Sequence, residues 1–168
     1  MNKIILDGKE YELSAELVEK IKAEVAAQEK AKNPFERTEP LLPYWFIASN
    51  GGVDFDTAAA HSQFTDYRFF VGNYCTDKSL MEQRALHETL NRLLWRYSEM
   101  NGGDSNPWPR GMHWFIYGDT SNGLKMNVSA NESHKKQGTI YFKDEETAKA
   151  AIEEVVKPFM AAHPEFVW

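Results

Sequence analysis

The 168-residue sequence holds a single cysteine, Cys75, which excludes an internal disulfide framework and suits a reducing compartment. Long apolar runs are missing as well. None approaches the roughly 18–20 residues of a membrane span. The opening stretch, MNKIILDGKEYELS, scatters charges where a secretory signal has a continuous apolar segment. The expectation is a cytoplasmic protein without a membrane partner. Charge of one sign is not concentrated anywhere. The net charge is −6, yet residues 1–40, 41–110 and 111–168 each carry −2 with both signs interspersed. That is a solubility pattern. It fits neither an acidic mimic of nucleic acid nor a basic nucleic-acid footprint, so direct DNA binding is not expected.

Catalytic signatures are equally scarce. There is no phosphate-binding Walker loop, no dinucleotide fingerprint and no nucleophile elbow. The stretch from His87 to Asn91, HETLN, imitates a zinc-protease helix but places Asn91 where the second imidazole belongs, and His61, His113, His134 and His163 have no ligand-spaced companions. Cys75 sits just before a predicted helix at Ser79, where a thiol can be activated, but no neighbour in sequence is an obvious base. Its simpler role is a small buried apolar group. Asp54 and Asp56 flank Phe55 on a predicted strand, so their carboxylates face the same way, which suits a wet strand face better than a metal or proton-sharing pair. No cofactor, metal or catalytic residue is expected.

Hydrophobic residues make up 42% and aromatics 13%, ample for a core and richer in rings than a minimal core needs. Asp7-Gly8 joins two short alternating runs as a hairpin, Ser14 caps a helix to about Lys32 along Leu17, Val18, Ile21 and Val25, and Pro34, Pro40 and Pro43 favour an extended connector. Two similar phrases follow, YWFIASNGG at 44–52 and HWFIYGDTSNG at 113–123. Each opens an order of strand, turn, return strand, third strand and helix. The third strands are YRFFVGNY and GTIYF. The helices begin at Ser79, with Glu82 in capping-box spacing, and at Asp144. Their apolar lines are Leu86, Leu90, Leu93, Leu94 and Tyr97, then Ala148, Ile152, Val155 and Phe159, with Pro158 kinking or ending the second.

The predicted fold is α+β: two βββα units form one antiparallel sheet backed by helices, after an N-terminal β-hairpin and helix. Residues 1–33 form the hairpin and helix, 34–43 the connector, and 44–168 the two-repeat domain, with units 44–103 and 111–168. Trp45, Phe46, Phe69, Val71, Trp114, Phe115, Ile140 and Phe142 are the expected sheet residues.

The ordered phrases, above all RFFVGN and YFKDEETAKAAIEE, resemble a family of small accessory proteins encoded by phages and prophages, largely of Gram-positive bacteria. The resemblance covers almost the whole chain and supplies no catalytic residues. It implies phage ancestry and an accessory role. With the scarcity of catalytic constellations and the surplus of aromatics, the expectation is a non-enzymatic protein in the host bacterial cytoplasm that binds and inhibits a host protein, with a component of antiphage defence as the target. The alternative is a small-ligand binder that sequesters a nucleotide immune signal, and an enzyme comes third. A homo-oligomer stays open. The candidate binding residues are Trp108, Arg110, Arg68, Tyr117 and Asp104, aromatic and arginine anchors with the loop that follows Gly102-Gly103. Trp108 lies between Pro107 and Pro109, as a binding anchor or as a lid over the sheet edge.

Overall fold

The computed structural model describes residues 3–6, 9–12, 14–19, 33–37, 42–57, 62–106, 108, 111–121 and 123–168. The chain is α+β and divides into two compact lobes. The smaller comprises Met1–Tyr44 and Asp56–Asp77, the larger Trp45–Phe55 and Lys78–Trp168.

In the smaller lobe, β1 (Lys3–Leu6) pairs antiparallel with β2 (Lys9–Glu12). Leu6 stands opposite Lys9, the register that a two-residue Asp-Gly connection sets. The turn itself, and the rest of the predicted helix beyond residue 19, lie outside the described residues. The start of that helix, α1 (15–19), is capped as its sequence implies. The Ser14 hydroxyl accepts the Leu17 N–H at 3.2 Å, and the Ser14 carbonyl accepts the Val18 N–H at 3.0 Å. At its described start, residues 33–37, the connector is a turn, while Pro43 at its end is extended in a β-strand. Asn33 accepts the Phe35 N–H on its side chain and the Glu36 N–H on its carbonyl, and Pro34 takes the second position, where its fixed φ fits.

The hairpin of β3 (Pro43–Ile47) and β4 (Val53–Thr57) turns at Gly51, whose φ of 86° favours glycine, and its tip belongs to the larger lobe. The segment expected as a third strand is instead a helix, α2 (Gln63–Phe70). Thr65 and Phe69 are one helical turn apart and face inward, and Gly72, with φ 70°, ends the helix through its N–H to the Phe69 carbonyl. Phe69 and Val71 are therefore not sheet residues. Tyr44, Thr65, Tyr74 and Cys75 are buried here, with Tyr44 stacked on Tyr74 at 4.3 Å between ring centroids.

In the larger lobe, α3 (Lys78–Met100) starts one residue before Ser79, so Ser79 lies inside the first turn instead of capping it. Three strands follow, β5 (His113–Asp119), β6 (Lys125–Asn131) and the two-residue β7 (Tyr141–Phe142), in the order β6-β5-β7. The β3–β4 pair is a separate sheet. The shared sheet of two βββα units is thus corrected on two counts: α2 replaces one third strand, and the two hairpins do not join. Within the three-stranded sheet, Trp114 stands opposite Phe142 and Phe115 opposite Tyr141, so Trp114, Ile116 and Phe142 face the helices.

The helical side is α4 (Glu145–Ala151), a π-helical turn (Ile152–Val156) and α5 (Lys157–Ala162). Pro158 does not end the helix. It occupies the first turn of α5, where its missing N–H is tolerated, directly after the π-turn that re-registers the backbone. Leu90, Leu94, Phe142, Ala148, Ala151, Val156, Phe159 and Phe166 form the core cluster. Ala148 and Ala151 are fully buried and let the helix approach closely. Across the core, the Ser98 hydroxyl donates to the Tyr141 carbonyl at 2.6 Å. Asp144 caps α4, its carboxylate accepting the Thr147 N–H at 2.7 Å. Bonding to Thr147 holds that carboxyl below the usual carboxylate range.

Asp144→Ala should cost about 1 kcal/mol. Because the folded pKa is depressed, the wild-type advantage is present above the ordinary carboxylate pKa and fades as pH falls through the lowered one. Denaturant titration at neutral and acid pH checks this; a variant as stable as wild type at pH 7 would contradict the cap.

Candidate functional site

Two of the expected binding residues, Asp104 and Trp108, come together on a third residue, His113. The end of α3 makes this possible. Gly103, with φ 61°, donates its N–H to the Ser98 carbonyl at 2.8 Å and turns the chain so that Asp104 follows over the first residue of β5. The Asp104 carboxylate takes His113 Nδ1 at 2.7 and 2.8 Å to its two oxygens. The His113 ring is fully buried, with Trp108 stacked on it at 3.5 Å and an interplanar angle of 7°. Tyr141 meets both rings edge-on, at 5.4 Å from Trp108 and 6.0 Å from His113. Asn106 fastens the loop by donating to the Met112 carbonyl at 2.8 Å.

An imidazole oriented by a carboxylate is a component of general-base and metal chemistry. Here the other ring nitrogen, His113 Nε2, is buried without a hydrogen-bond partner, so no described serine, threonine or cysteine stands bonded to it as a nucleophile. Among the described residues no group of three or more His, Cys, Asp and Glu side chains gathers to hold a metal ion. An unmatched buried nitrogen costs roughly 1–3 kcal/mol, which the Asp104 bond and the Trp108 stack offset. In this geometry Trp108 serves as a lid on His113.

Arg68 belongs to the smaller lobe, on α2. Its guanidinium donates to the Tyr44 hydroxyl at 2.7 Å and to the Asp56 carboxylate at 2.8 Å. The Arg68 hydrogen bond holds the Asp56 carboxyl below its ordinary range. Asp56 is thereby committed to an ion pair, while Asp54 accepts the Phe55 N–H at 2.8 Å. Tyr117 lies on the exposed face of β5 next to Phe115, and the Lys136 ammonium sits 4.7 Å over the Phe115 ring. Arg110 lies outside the described residues. Cys75 is buried, its sulfur accepting the Asp77 N–H at 3.4 Å. His87 packs its ring edge on Phe166.

Sequence reasoning missed the outer side of α2. Phe64, Tyr67, Phe70 and Val71 are 73%, 59%, 77% and 69% exposed, at a spacing that lines one helix face. The signal was present in that spacing, but the segment read as a strand. Beside this stripe Arg37 pairs with Asp66, and its guanidinium lies 5.8 Å from the Phe70 ring.

No protein-family model matches the chain, and no curated protein or solved structure matches it either. Among the described residues no helix is long and apolar enough to cross a membrane.

Two outcomes follow from these contacts. Trp108→Ala removes the stack and opens His113 to water, so stability should fall by about 2 kcal/mol, a drop of roughly 5 °C in melting temperature. Trp108→Phe should recover part of it, and an unchanged melting temperature for the alanine variant would exclude the lid. Asp56→Asn removes a group with a depressed folded pKa. Wild-type stability from this pair is present above about pH 4 and lost as pH falls through the lowered pKa, so the variant's stability should vary less with pH on the acid side. Parallel pH profiles for the two proteins would contradict the pairing.

Proposed function

We propose that this chain is a non-enzymatic accessory protein of phage origin that binds and inhibits a protein of the bacterial host, a component of antiphage defence. The observation that carries the binding reading is the aromatic stripe on α2. Phe64, Tyr67, Phe70 and Val71 present a contiguous apolar face on a helix whose opposite side already fills the lobe with Thr65 and Phe69. A short helix with both faces apolar has one face too many for its own core. Contiguous exposed rings beside arginine are what protein interfaces use as anchors, and they are rare on surfaces without a partner. The phage setting and the inhibitory role rest on the family resemblance of the quoted phrases. The nucleotide-binding alternative needs an open ring near a guanidinium available for phosphate. Trp108 has a face on His113, and Arg68 is held by Asp56 and Tyr44, so neither residue favours it.

Replacing both Phe64 and Phe70 by serine separates binding from folding, because both rings are largely solvent-exposed. The double variant should keep its melting temperature within a few degrees. It should lose a specific host protein that the wild type retains from lysate, and weaken the purified complex at least tenfold, about 1.4 kcal/mol. A complex of equal affinity, or no retained host protein at all, would defeat the proposal.

A further inference from the structure

In the order β6-β5-β7, strand β6 is paired on one side only, through an unbroken register from Lys125 opposite Asp119 to Asn131 opposite His113. An edge strand turns alternate N–H and C=O groups away from its sheet. Outside this pairing, among the described residues, no hydrogen bond reaches a backbone group of residues 124–130. Seven residues is long for an open edge. The opposite edge strand, β7, is only two residues long and offers little to pair with. β6 has neither proline nor a bulge to discourage pairing, and Lys125 at its start is its one charged residue.

A groove of about 750 Å³ runs beside this strand. One wall is formed by Leu124, Lys125, Met126, Asn127 and Val128. Successive strand side chains point to opposite faces, so five consecutive residues can line one groove only along the open edge. The other wall comes from α4, the π-turn and α5, through Lys149, Ile152, Glu153, Lys157 and Met160. Met126, Val128 and Met160 pack on the core and give the groove an apolar floor. Its rim is positive on a chain of net charge −6. Lys149 is held by Glu145 and Lys157 by Glu153, each at 2.6 Å, whereas Lys125 forms no ion pair among the described residues.

The geometry points to strand addition at β6: an extended, acidic segment of a partner protein pairs with the open edge, places alternate apolar side chains over Met126 and Val128, and sets a carboxylate against Lys125, the rim lysine that no glutamate holds among the described residues. The backbone edge demands an extended occupant, the apolar floor demands alternation, and the lysine rim demands acid. A second copy of this chain meets the first demand and fails the third, because the strand it would add, β6 itself, carries a lysine and no carboxylate. This surface lies in the larger lobe and is independent of the α2 stripe in the smaller one.

The test is selection of a displayed library of random peptides, each about nine residues long, on the purified full chain. Enriched peptides, made synthetically, should alternate apolar residues with acidic ones. Bound, they should slow amide exchange at alternate positions of 125–131 at least tenfold. Lys125→Glu should weaken them at least tenfold without changing the melting temperature, while Phe64→Ser with Phe70→Ser should leave them unaffected. The proposal is overturned if nothing enriches, if enriched peptides lack the acidic alternation, or if their protection falls on another segment. Concentration-dependent protection of β6 without peptide would instead assign the edge to a second copy and also overturn it.

Discussion

Strand β5 is used on both of its faces, and the construction of the larger lobe depends on that. Trp114 and Ile116 point to the helices, while His113 and Phe115 point the other way. A three-stranded sheet with one edge strand of two residues cannot hide rings on both sides by itself. The helical side is closed by α3, α4 and α5, and the C-terminal Trp168 fits there because residue 118 is glycine: a methyl group at 118 would lie about 2.5 Å from the indole. The other side is closed by loops. The turn after α3 brings Trp108 over His113, and the segment after β6 brings Lys136 over Phe115 and its N–H to the Tyr141 hydroxyl at 2.9 Å. Where this cover stops, Tyr117 is exposed.

That division explains which parts of the fold were legible beforehand. Features fixed by a few neighbouring residues could be read: the Asp-Gly hairpin, the Asn50-Gly51 turn, the Ser14 and Asp144 caps, and the leucine line of α3. The alternation of β5 was readable for the same reason, since parity follows from the strand itself. Features decided by tertiary context were not. YRFFVGNY is aromatic enough for a strand, and it is contacts within its lobe, such as Phe69 with Tyr74 and Thr65 with Tyr44, that give the helix an inner face. The doubled phrase is real in sequence, but the segments after the two hairpins fold differently, so likeness of the strands did not carry over to the unit.

The candidate residues divide along the same line. Asp104 and Trp108 were singled out for their loop, yet what positions them is His113, nine and five residues further on, which looked like one more strand residue with no metal companion. Arg68 was singled out for its charge, but its strand was in fact a helix and its partners, Tyr44 and Asp56, are distant in sequence. The α2 stripe went unseen because its spacing has meaning only once the segment is helical.

Taken together, these contacts leave an uneven surface. Polar side chains that could have done chemistry are matched internally: Asp104 with His113, Arg68 with Asp56 and Tyr44, Lys149 and Lys157 with glutamates one turn away. Two larger features are left open among the described residues, a face of rings on α2 and a row of backbone donors and acceptors along β6. Rings of that area are covered best by another protein, and a strand edge is completed only by another backbone. A small molecule can satisfy neither fully. The physical demand of this surface is therefore for macromolecular rather than small-molecule partners, which is the kind of partner that the role proposed above requires.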